Sequence, residues 1–133
     1  MGNATVLRIT AYVISISQFV LGAAYLFGAE RFNELLDLDG APSWTQWPFA
    51  LGGARYVAFG FGMLLVARNP TAHRSWIQAM ILVQAIDWLA TIASVSTGIV
   101  TLRQVATASF LPLIFIAGLL IGYPRAPQAT TSA

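Results

Sequence analysis

Four stretches of this chain, 8–28, 49–67, 76–97 and 104–123, are mainly apolar and almost free of charge. Each is close to the length, about 20 residues, that a helix needs to cross the ~30 Å hydrocarbon layer of a bilayer. Lipid offers no hydrogen bonds to loops or open strand edges, so runs of this kind commit the backbone to helices. Composition agrees: charged residues make up 9% and hydrophobic residues 57%, and mean hydropathy is +0.71. A soluble domain carries about 25% charged residues. The expected fold class is therefore all-α, an integral membrane four-helix bundle.

The breaks between the runs are chemically distinct. Residues 30–48 hold Glu30, Glu34, Asp37 and Asp39 with Gly40, Pro42 and Pro48; residues 68–74 form a short polar turn; Thr97, Gly98, Thr101 and Arg103 make the third connection. Residues 1–125 read as one four-span domain, and the proline-containing, small-residue tail 126–133 as disordered. Pro112 should kink the fourth span, which packing inside a membrane can accommodate. Phe32, Leu35 and Leu36 share a face within 30–38, which predicts a short amphipathic helix on the outer surface between spans one and two. The first run is long for a signal peptide and has no A-x-A site after it, so it reads as a retained span. Val6 stands where a myristoylation signal needs Ser or Thr.

Arginine placement sets the expected orientation. An inward N-terminus puts Arg8, Arg68, Arg74 and Arg125 on the cytoplasmic side and Arg31 and Arg103 outside, giving N-in and C-in, multi-pass, in a bacterial inner membrane. Trp44 and Trp47 would then anchor the outer interface, and Trp76 and Tyr123 the inner one.

Several functions are disfavoured. There is no cysteine, which removes thiolate chemistry and Cys-ligated metals, and His73 is the only histidine; no metal site is expected. Asp37-Leu38-Asp39-Gly40 lacks the further ligand positions of a calcium loop. A net charge of +2 without a basic run gives no sign of nucleic acid. The absence of a nucleophile–base pair, a metal set or a phosphate loop argues against an autonomous enzyme.

The polar residues of the spans fall on helical faces. Gln84, Asp87, Thr91 and Ser94 are spaced three, four and three apart, as are Ser15, Gln18, Gly22 and Tyr25 in the first span; Gly52, Arg55, Phe59 and Gly62 form a similar face in the second. Such faces turn toward protein because lipid cannot hydrogen-bond them. At about 1.5 Å of rise per residue, Asp87 lies roughly 15 Å and Arg55 roughly 9–10 Å below the same surface. An arginine can close that gap, so Arg55 and Asp87 are expected partners, with Gln18, Tyr25, Gln84 and Thr91 around them as a ligand-binding set. Trp88 is turned about 100° from Asp87 and is expected to face lipid or a neighbouring subunit. Ala54, Ala58 and Gly62, with Gly22, Gly52, Gly53 and Gly60, are expected to let helices approach closely, within the bundle or in a homo-oligomer.

The stretch "GGARYVAFGFGMLLVARNP" (52–70), a short basic turn and "DWLA" in the third span resemble the small four-helix membrane proteins of the DoxX-like and BphX-like groups. The resemblance covers 8–123 and rests on Gly53, Arg55, Gly60 and Asp87. DoxX is associated with a quinone-reducing thiosulfate oxidoreductase, so the resemblance implies an accessory or quinone-near role. The resulting expectation is a small accessory or scaffold protein holding a lipophilic ligand, a quinone or lipid, near Arg55–Asp87, with no other cofactor. Its partners would be the bilayer and a homo-oligomer or larger membrane complex. The alternatives are a small-molecule or proton transporter using Asp87 and the membrane subunit of an oxidoreductase complex.

Overall fold

The computed structural model describes residues 2–38 and 40–124; Asp39, Arg125 and the tail 126–133, for which disorder was expected, lie outside the described residues. Those described residues contain helices and no strand: α1 (Asn3–Phe27), α2 (Ala29–Leu35), a 3-10 turn (Ser43–Thr45), α3 (Gln46–Arg68), α4 (Arg74–Ser96) and α5 (Ala106–Ile121). Three segments are long and apolar enough to cross a membrane: Asn3–Phe27, Ser43–Arg68 and Arg74–Ser96. Within the expected fourth span, α5 has 16 residues, about 24 Å of helix.

Local chemistry sets the helix ends. Pro70 disfavours helical backbone at Asn69 and stops α3; Asn69 sits at φ −142°, ψ 84°. Pro48 is tolerated because it lies in the first turn of α3, where backbone N–H groups have no helical acceptor. α4 ends with Gly98 at φ +75°, where the Ile99 N–H donates to Ser94 O and the Gly98 N–H to Val95 O. α2 ends the same way with Asp37 in the left-handed position, φ +54°, and the Leu38 N–H donating to Asn33 O. Both are Schellman caps, which satisfy carbonyls that a helix end would otherwise leave open. On α2, Leu35 is 83% exposed, while Phe32 packs on Tyr25.

The four long helices form a ring, α1 against α3 and α5, and α4 against α3 and α5. The closest seam is α1–α3. Ser15 lies opposite Gly60, its hydroxyl donating to the Gly60 carbonyl at 2.7 Å. One heptad along each helix, Gly22 lies opposite Gly53: a Cβ on Gly22 would come within 3.2 Å of the Gly53 carbonyl, and one on Gly53 within 2.8 Å of the Leu26 side chain. Small residues at this spacing bring two backbones together, which supplies dispersion contact where no hydrophobic effect drives helices together.

The small-residue row Ala54–Ala58–Gly62 is not one packing face. Ala54 and Ala58 are exposed, and Gly62 instead seats the Trp76 indole, with a Cβ there only 2.2 Å from the ring. Trp76, near the start of α4, also lies edge-on to Phe59. Trp88 is also turned inward: its indole N–H donates to Ser109 O on α5 at 2.8 Å. Pro112 has no N–H and distorts the turn before it, so the indole serves a carbonyl of that distorted turn.

The core occupies one half of the ring. Leu7, Ala11 and Ile14 of α1, Met63, Val66 and Ala67 of α3, Ile77 and Met80 of α4, and Phe115 and Leu119 of α5 are all buried. They lie toward the end carrying the N-terminus, the α3–α4 turn and the C-terminus of α5. Toward the opposite, loop end, no residue of α4 beyond Gln84 is buried. The α1–α3 and α4–α5 pairs therefore meet tightly at one end and open toward the other. Large apolar side chains such as Ile16, Val20, Phe61, Leu82, Leu89 and Ile114 are exposed around the ring, as a lipid-facing surface would have them.

The seam makes a testable distinction between adjacent glycines. Gly53→Ala should lower stability by about 1–3 kcal/mol through overpacking. Gly52→Ala, whose added methyl meets only Tyr25 at 3.7 Å, should raise it by up to ~1 kcal/mol through helix propensity. Thermal unfolding of the detergent-solubilised protein checks the pair, and equal shifts would contradict the assigned seam.

Candidate ligand-binding site

Arg55 and Asp87 are brought together on facing helices. The Arg55 Nη2 donates to both carboxylate oxygens of Asp87, at 3.0 and 3.3 Å. Arg55 Nε and Nη1 make no hydrogen bond among the described residues, so one nitrogen serves the whole carboxylate. The guanidinium also lies 5.1 Å from the centre of the Tyr56 ring, a cation–π distance. The pair sits in the open half of the ring, with side-chain exposures of 43% for Arg55 and 34% for Asp87. It bridges the two helix pairs at a level where apolar packing does not.

The expected companions divide. Gln18 is 4% exposed and Gln84 is 6% exposed. In the antiparallel register of the seam, Gln18 is level with Val57, about half a turn below Arg55; Gln84 precedes Asp87 by three residues. Both amides thus lie at a level just beneath that of the ion pair. Gln18 makes no hydrogen bond among the described residues, and Gln84 reaches only the Met80 sulfur, at 3.5 Å. Buried amides normally find partners; these two retain most of their donor and acceptor capacity.

Tyr25 and Thr91 are not direct partners of the charges. Tyr25 packs edge-on to Tyr56 and Phe49 and tilted on Phe32, so it reaches Arg55 through Tyr56. The Thr91 hydroxyl donates to the Asp87 backbone carbonyl at 2.8 Å, the i−4 bond open to any helical threonine, and so serves its own helix. Tyr56 is the site residue that face-counting missed. Its position beside Arg55 was visible, but side chains of consecutive helical residues diverge, and nothing in their spacing indicates a stacked pair.

At the loop end the two halves meet a second time. The Arg103 guanidinium pairs with the Asp37 carboxylate, and the Gln104 amide donates to the Asp37 carbonyl at 2.7 Å. The end of α2 is thereby clasped to the α4–α5 connection above the opening. No group of three or more His, Cys, Asp or Glu among the described residues could hold a metal.

The Arg55–Asp87 link yields a double-mutant test. Arg55→Gln and Asp87→Asn each leave one unpaired charge within a span, whereas the double variant removes both. Each single change should destabilise more than the double, with a coupling of about 1–3 kcal/mol. Thermal unfolding in lipid nanodiscs measures it; additive effects would show that the pair contributes no coupling.

No family model, curated protein or solved structure matches this chain.

Proposed function

We propose that this chain is a small accessory or scaffold protein of the DoxX-like and BphX-like kind that holds a lipophilic ligand, a quinone or lipid, in the opening beside Arg55 and Asp87. The carrying observation is unused hydrogen-bonding capacity in an apolar setting. Arg55 has two uncommitted donor nitrogens, and the buried Gln18 amide has no partner among the described residues. A ligand with a carbonyl or ester head and an apolar body fits that chemistry: the head accepts from Arg55 and the glutamine amides, and the body lies against exposed Leu, Ile and Phe side chains. Ligand sites combine apolar walls with a few convergent polar groups in this way. The spans carry Asp87 and Arg55 alone in their central parts, whereas proton pathways use chains of ionisable groups; this favours holding over transport.

In this reading the chain crosses a bacterial inner membrane four times, N-in and C-in. The fourth crossing is α5 with its flanking residues. At 16 residues, α5 is short for a full crossing, which local bilayer thinning or flanking residues can accommodate.

Native mass spectrometry of the detergent-extracted protein tests the ligand. The wild type should carry an organic ligand that Gln18→Ala and Asp87→Asn each reduce several-fold. Equal occupancy in all three would refute the site, and a protein partner retained by all three without a ligand would favour a pure scaffold. Topology has its own test because the chain has no cysteine. In intact cells, Ala41→Cys should react with an impermeant maleimide and Thr71→Cys should not; the reverse pattern would invert the orientation.

A further inference from the structure

A concavity of about 640 Å³ lies at the opposite end of the ring from the opening, open to its surroundings and lined more by apolar than by polar surface, between the first turns of α1, the α3–α4 turn and the end of α5. Arg8 and Arg68 line it together with Asn3, Ala4, Thr71 and Tyr123. Both arginines are exposed and neither forms an ion pair among the described residues. No acid is available nearby in sequence: apart from Asp87, every Asp and Glu of the chain lies within 30–39, and the described ones, Glu30, Glu34 and Asp37, lie in or just after α2. The α1 N-terminus has no side-chain cap. Its first-turn N–H groups, those of Asn3 and Ala4, have no intrahelical carbonyl to reach. Two arginines and a positive helix end thus line one concave surface at the end where three membrane-length segments terminate.

From this convergence we infer a binding site for the phosphate headgroup of an anionic phospholipid. A phosphate accepts hydrogen bonds from two guanidinium groups and from helix N-terminal N–H groups. The cavity has the size of a small-ligand site. The last turn of α5, next to the lining residues Gly122 and Tyr123, exposes Leu120 and Ile121, apolar surface against which an acyl chain can lie. A free phosphate would use the same polar groups but not that apolar surface. Basic concavities between spanning helices at the headgroup level suit anionic lipids. This site is independent of whatever fills the opening beside Arg55.

The experiment is a titration of delipidated, detergent-solubilised protein, followed by native mass spectrometry. The probes are phosphatidylglycerol, phosphatidylcholine of the same acyl chains, and inorganic phosphate. The wild type should bind phosphatidylglycerol about tenfold more tightly than phosphatidylcholine. The Arg8→Gln/Arg68→Gln variant should lose that preference, and the Arg8→Lys/Arg68→Lys variant should keep most of it. Arg31→Gln, an exposed arginine of α2 outside both sites, should leave it unchanged. Equal phosphatidylglycerol binding by the wild type and the Gln pair would overturn the site, as would loss of preference in Arg31→Gln. Displacement of the lipid by millimolar inorganic phosphate would overturn the lipid as its occupant. Should the Gln pair fail to fold, the wild-type preference and the phosphate competition still decide the occupant.

Discussion

The close approach of α1 to α3 carries the architecture. Lipid is as apolar as a leucine side chain, so two spanning helices adhere only where their surfaces fit closely or exchange hydrogen bonds. Gly22 against Gly53 and Ser15 against Gly60 provide both along one seam. Once α1 and α3 act as a unit, α4 and α5 need only dock at one end, where Trp76 lies on Gly62 and the buried apolar residues gather. The other end is free to open, and in that opening the polar residues of three helices meet.

Seen from that seam, Arg55–Asp87 is a strut more than a core. A sealed ion pair would be surrounded by apolar packing, and its charges would have to satisfy each other completely. Here one guanidinium nitrogen holds the carboxylate, the Tyr56 face takes part of the positive charge, and the glutamine amides beneath remain nearly unused. Such a strut spaces the helix pairs while leaving donors directed at the gap between them.

The three membrane-length helices, the short helix after the first of them and the facing charges were readable in the sequence because each depends on a period or a count: apolar length, the 3.6-residue repeat, depth from the helix end. Which neighbour a face meets is a different kind of information. Trp88 was expected to face lipid or a neighbouring subunit, yet its indole serves a carbonyl near Pro112, and Trp76 fills the notch of Gly62; both contacts depend on crossing geometry that periodicity does not contain. The row Ala54–Ala58–Gly62 obeyed the small-residue rule at spacing four, but the seam formed at spacing seven, through Gly53 and Gly60. Thr91 lay on the right face and still turned its hydroxyl to its own backbone. The opening itself had no sequence signature, because it results from where packing stops.

Two ion pairs among the described residues, Asp37–Arg103 and Arg55–Asp87, are chemically alike and physically opposite. Asp37–Arg103 is largely exposed beyond the helix ends, within reach of dissolved salt, which screens over ~10 Å at 0.1 M. Arg55–Asp87 lies between membrane-length helices, where mobile ions do not enter hydrocarbon. Rising ionic strength should therefore loosen the clasp and spare the strut. The opening would then be held by a hinge at one end and a bar across its middle, with a mouth whose tightness follows the salinity of the water it faces.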